Sequence, residues 1–149
     1  CPENLRPFLA EFHEPVPFDR YPEALASLDL DLAIAPLEIH PFNEGKSDLR
    51  ILEYGALGWP VVATEIHPYQ GKPVTCLPND PDRWLRAIRE RIHDLDALEA
   101  EGDRLRQWVL GHRLLEQHLD EWVEALFSDE VLRAFGVRPG KAAWPGLRA

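Results

Sequence analysis

The residues best suited to chemistry lie between positions 43 and 53. Gly45, Lys46 and Ser47 stand where a loop turns into a helix. A helix start presents amide N–H groups without intrahelical acceptors and a partial positive charge, the combination that holds phosphate. Gly45 allows close backbone approach, and Lys46 adds a full charge. The plain alternative is an ordinary helix start with a surface lysine. Gly-Lys-Ser also ends the P-loop pattern. The earlier glycine of that pattern would stand at position 40, which is His40, and the residues before Gly45 are Pro-Phe-Asn-Glu. A P-loop NTPase is excluded on that ground.

Glu53 is the second candidate. At about 100° per residue, Leu49, Leu52, Ala56 and Leu57 form an apolar arc. Glu53 falls inside that arc, between Leu49 and Leu57, with Arg50 and Tyr54 on the solvent side. A carboxylate on a core-facing stripe is costly unless paired or hydrogen-bonded. Sugar hydroxyls are suitable donors to it. The alternative is a buried ion pair with an Arg or Lys of the same domain.

Other groups carry less. His13, His40, His67, His93, His112 and His118 lack metal-ligand spacing, so no metal is expected. His40 and His67 border loops and read as surface residues. Glu38 and Glu44 read as solvated loop acids with acid–base capacity. Cys1 and Cys76 make neither a disulfide framework nor a zinc site. Arg83, Arg86, Arg89 and Arg91 are interleaved with acids and read as a solvated face. Trp84, Trp108 and Trp122 fall on apolar helix faces and read as core.

The elements that must position these groups alternate. Spacing predicts a helix over 21–28, a strand over 30–35 that becomes continuously apolar, and a loop over 36–45. Ser47 to Leu57 is the clearest helix, with Ser47 as N-cap and Gly58 just past its end. Short strands follow over 60–63 and 74–77, separated by a loop with Pro68 and Gly71. Pro81 suits the first position of a helix, with Trp84, Leu85, Ile88 and Ile92 facing the core. Helices continue over 95–110, 114–127 and 129–135. Trp144 is placed to pin an irregular tail.

This order predicts an α/β fold: a partial Rossmann-like parallel sheet flanked by helices, with a helical C-terminal extension. The predicted divisions are 1–80 for the sheet part, 81–135 for helices packing on it, and 136–149 for the tail. The 149 residues, 45% hydrophobic and 28% charged, suffice for one domain with a real core. No apolar run approaches the ~20 residues of a membrane span. The net charge is −10, which argues against a general nucleic-acid binder. The charge is uneven: residues 1–45 hold nine acidic and two basic residues, but 46–80 hold four and three. The middle segment is therefore the part that best tolerates an anion. The chain has no methionine. It reads as a piece of a longer protein rather than as a lipoprotein acylated at Cys1.

Asp31-Leu-Ala-Ile-Ala-Pro-Leu37, Pro41-Phe-Asn43, Lys46-Ser47, Leu52-Glu-Tyr-Gly-Ala-Leu-Gly58 and Pro60-Val-Val-Ala63 together make a pattern. It resembles the nucleotide-sugar-binding half of GT-B glycosyltransferases of the "glycosyl transferases group 1" type, which build bacterial surface polysaccharides. The resemblance covers a little over a quarter of the chain. It implies that Glu53 binds the ribose hydroxyls of a nucleotide-sugar, and that Asn43, Glu44, Gly45, Lys46 and Ser47 face its diphosphate and sugar. It implies a sugar or lipid-linked acceptor held by a preceding domain, with the general base there too, and no cofactor beyond the donor substrate. It also implies a cytoplasmic location, free or peripheral at the inner membrane through the full-length protein. Two features depart from the family. Its second glutamate, eight positions before the first, is Gly45 here, with Glu44 off by one. Its basic pair that grips the diphosphate has no counterpart in the sequence. The rival readings are a non-catalytic Rossmann-like interaction module and another sugar-nucleotide enzyme such as an epimerase.

Overall fold

The computed structural model describes residues 3–136. The predicted tail, with Trp144, lies outside them beyond Gly136, as does Cys1. The chain divides into two compact units, residues 1–30 and 31–149. In the first unit, Arg6–Phe8 and Phe18–Arg20 form single 3-10 turns, and α1 spans Tyr21–Ala26. The guanidinium of Arg6 lies over the Phe12 ring at 4.9 Å. None of the described residues of this unit is buried.

The second unit is α/β. Its strands are β1 (Ala33–Ala35), β2 (Val61–Thr64) and β3 (Thr75–Leu77), all parallel, in the order β1-β2-β3. Between β1 and β2 lie α2 (Pro41–Glu44) and α3 (Leu49–Ala56). After β3 come α4 (Pro81–Ile92), α5 (Leu95–His112), α6 (Leu119–Leu126) and α7 (Asp129–Ala134). Side-chain caps start three of these: Asp80 accepts from Arg83 N–H at 3.0 Å, Asp94 from Ala97 N–H at 3.0 Å, and Ser128 from Val131 N–H at 3.5 Å.

Every residue of the central strand β2 is buried. β1 differs from its prediction. Ala33 and Ala35 are buried but Ile34 is 48% exposed, because an edge strand here covers only one face. On α4 the inward stripe is Trp84, Ala87, Ile88 and Arg91, at i, i+3, i+4 and i+7. Leu85 and Ile92, expected in the core, are about half exposed. Arg91 is no solvated residue. Its guanidinium donates to both carboxylate oxygens of Glu101, at 2.9 and 3.2 Å, and to Thr75 Oγ1, joining α4, α5 and β3. Trp122 is also exposed rather than core.

α3 is fixed from two sides. It packs on β1 and β2 and, most extensively, on α5. Ile51, Val61, Val62, Ile66 and Leu105 are wholly buried, each contributing roughly 1.5–3 kcal/mol. The helix contact is close because two glycines face it. A Cβ on Gly55 would lie 2.7 Å from Val109 Cγ2 and 2.8 Å from Leu105 Cγ. One on Gly102 would lie 2.0 Å from the carbonyl oxygen of Gly58. Gly58 has φ +79°, and the N–H groups of Gly58 and Trp59 donate to the carbonyls of Gly55 and Tyr54, both at 3.0 Å. This is a Schellman ending, completed by the Tyr54–Trp59 ring contact at 5.8 Å.

Two substitutions in one helix therefore have opposite expected signs. Gly102→Ala pushes a methyl group into backbone and is expected to cost about 1–3 kcal/mol. Gly111→Ala meets nothing within 4 Å and is expected to stabilise by up to about 1 kcal/mol. Urea midpoints of the two variants check this; equal shifts would exclude the close contact.

Candidate functional site

Because the strands are parallel, β1 and β2 release the chain on the same side, after Ala35 and Thr64. Ligands of open α/β sheets sit at that end. A cavity of about 480 Å³ is formed there by loops. Lys46, Ser47 and Asp48 line it from the approach to α3. His67, Pro68, Gln70, Gly71 and Lys72 line it from the loop after β2.

A closed polar ring ties the strand ends. Leu37 N–H donates to Thr64 Oγ1 at 2.8 Å, Thr64 Oγ1 donates to Asn79 Oδ1 at 2.9 Å, and Asn79 Nδ2 donates to Leu37 O at 2.8 Å. Thr64 is fully buried, so its hydroxyl needs both partners. The segment between β1 and α3 is thereby anchored at its base.

The segment over 36–45, predicted as loop, contains α2. Pro41 opens this helical turn, and His40 Nδ1 accepts from Phe42 N–H at 3.2 Å. Two predicted site residues are occupied in holding it. Asn43 Nδ2 donates to Glu38 O at 2.8 Å, and Glu44 Oε2 accepts from His67 N–H at 2.8 Å. Gly45 ends the turn at φ −89°, where its amide donates to Pro41 O at 3.2 Å. It does not line the cavity. Lys46 and Ser47 are exposed and do line it, and Lys46 Nζ lies 5.0 Å from the centre of the Phe42 ring.

The start of α3 differs from its prediction. The N-cap is Asp48, not Ser47, and no side chain caps the helix. The first intrahelical donors are Ile51 and Leu52, both to Asp48 O, so the amides of Asp48 and Leu49 are not consumed by the helix. The Asp48 carboxylate is committed elsewhere. Arg113, at the end of α5, grips it with two bonds of 2.6 and 3.0 Å, and Lys72 Nζ lies 3.4 Å away. Burial pushes the Asp48 carboxyl up, but the hydrogen bonds and charges of Arg113 and Lys72 outweigh it and hold it below the ordinary aspartate value.

Glu53 is half-buried, but not on the core-facing stripe predicted for it. The buried face of α3 carries Ile51 and Gly55, while Leu49 is 57% exposed. The wheel misplaced the face because it gave Gly55 no weight, although that glycine is what lets α5 approach. A buried carboxylate–arginine pair of the kind considered for Glu53 is present at Asp48. Sequence reasoning missed Asp48, Lys72, Arg113 and Thr64. Only Asp48, an acid directly before an amphipathic helix, offered a local signal.

A second cavity, of about 540 Å³, lies between α3, the end of α5 and α6, with Leu52, Arg113, His118 and Trp122 in its wall. Cys76 is partly buried, which raises its thiol pKa and leaves it a poor nucleophile. Among the described residues no group of three His, Cys, Asp or Glu side chains could hold a metal ion, and no helix is long and apolar enough to cross a membrane. Set against protein-family models, curated proteins and solved structures, the chain finds no match in any of the three.

The Asp48 cluster makes a pH-dependent contribution. A carboxyl with a lowered folded pKa stabilises fully above its unfolded value and loses that contribution as pH falls through the folded one. Asp48→Asn is expected to cost about 1–3 kcal/mol at neutral pH. Its deficit relative to the unaltered chain should hold down to about pH 5 and shrink below about pH 4. Urea unfolding at several pH values checks this. A deficit undiminished near pH 2 would mean the ion pairs are not its source.

Proposed function

We propose that this chain is the C-terminal, donor-binding part of a glycosyltransferase that moves a sugar from a nucleotide-sugar to an acceptor, in the synthesis of bacterial surface polysaccharide or a related glycoconjugate. One observation carries the reading. Lys46, Ser47 and the start of α3 converge on a cavity at the carboxyl ends of parallel strands. Glu53 follows little more than one turn along the same helix. A diphosphate suits the first group and a ribose the second, and both belong to one ligand. The resemblance of the 29–69 segment to group 1 glycosyltransferases supports the same assignment.

In the transfer, the bond between the sugar's anomeric carbon and the diphosphate oxygen breaks while the acceptor hydroxyl bonds to that carbon. Negative charge gathers on the departing diphosphate. Lys46 and the amides of Asp48 and Leu49 stabilise that charge. The acceptor site and general base belong to a preceding domain of the whole protein, which works in the cytoplasm or against the inner membrane.

The test is a calorimetric titration of the chain with UDP, GDP, ADP and TDP. Saturable binding of one of them is expected, weakened about tenfold in Glu53→Ala, which corresponds to about 1.4 kcal/mol. Equal affinity of the unaltered chain and Glu53→Ala would overturn the ribose assignment.

A further inference from the structure

Lys72 brings a second cation to an acid that is already paired. Asp48 carries one negative charge, and Arg113 already satisfies it with two direct bonds. Lys72 adds a second cation at 3.4 Å, with its side chain only 14% exposed. The Asp48–Arg113–Lys72 cluster thus has an excess of one positive charge. A partly desolvated ammonium beyond what its acid can neutralise is costly without a further anion.

Lys46 and Lys72 line the cavity beside it from two different loops. Asp48, already paired with Arg113, is the only acid among its described lining residues, and the Glu44 carboxylate is bonded to the amide of His67 on the same wall. This positive concentration occurs in a chain of net charge −10. Two lysines on different loops of one cavity suit a doubly charged anion, since both are usable as point-charge phosphate contacts.

We infer that Lys72 is a second diphosphate-contacting residue, on a different loop from Lys46, and that the Asp48–Arg113 pair is the positioning device that holds its ammonium at the cavity. Lys72 lies outside the residues that the family resemblance assigns. The inference rests on the donor-site reading for the identity of the anion, but not for its charge. It also ties the end of α5 to the site, because Arg113 fixes the carboxylate against which Lys72 rests.

The experiment uses inorganic pyrophosphate as the probe, titrated into the full chain by calorimetry at low salt, alongside the nucleoside diphosphates. Pyrophosphate is expected to bind, Lys72→Met to weaken it at least tenfold with little change in Tm, and Lys72→Arg to retain affinity within a few-fold. Lys72→Gln serves as a second variant should the Met variant unfold. Glu53→Ala is expected to leave pyrophosphate binding unchanged. Failure of pyrophosphate to bind, or equal binding by the unaltered chain and the folded Lys72 variants, overturns the inference. Nucleoside-diphosphate binding that needs Glu53 but not Lys72 keeps the donor reading and discards this one. Pyrophosphate binding that needs Lys72, with no nucleoside diphosphate binding more tightly, keeps the anion site and discards the donor reading.

Discussion

The second unit depends on one contact between backbones. Gly102 of α5 presses on the carbonyl of Gly58, where a side chain of any size would collide. Gly55 gives way similarly to Leu105 and Val109. Close-packed interiors do not yield by ångströms, so this contact sets the distance between α3 and α5. The sheet fixes the other side of α3. A helix held so firmly has a defined starting point, and the candidate site is built at that point.

Polar contacts then convert the packed frame into a shaped cavity. The Thr64–Asn79–Leu37 ring binds the last residue of β2 to the segments that follow β1 and β3. Glu44 draws α2 to the loop after β2 through the amide of His67. The two walls of the cavity are therefore linked to each other, not merely adjacent. Asp48 performs the corresponding task at the helix start. Its carboxylate forgoes the ordinary capping bond and ties α3 to Arg113 and Lys72.

The alternation of elements was legible because each local signal agreed with the next. The apolar run before Pro36, the helix ending at Gly58, the Pro-Val-Val-Ala strand and Pro81 at a helix start all appear within a few residues of their predicted places. What escaped was everything set by partners distant in the chain. Arg113 and Asp48 are 65 positions apart, and Thr64 and Asn79 are 15 apart. Periodicity records which face is apolar, not which polar groups meet. The orientation of α3 was misread for a related reason. Hydrophobic patterning favours large residues, whereas this helix turns its smallest residue toward its neighbour. The family resemblance implies that Asn43 and Glu44 face the ligand; in the fold, Asn43 Nδ2 and Glu44 Oε2 brace the loop.

The distribution of charge links fold and function most directly. An acidic chain repels anions at long range, so any anion site must be made locally by desolvated cations and oriented amides. Cations alone at the cavity would repel each other and loosen the loops that carry them. A single buried acid between Arg113 and Lys72 relieves that repulsion without cancelling it. The carboxylate must then be strongly held in its ionised form, and its lowered pKa reflects this. Neutralising it by mutation would release Lys72 into solvent and Arg113 from α3. Removing Lys72 alone would leave the Asp48–Arg113 pair whole. The structural and electrostatic duties of the cluster are thus divided between two cations that share one acid.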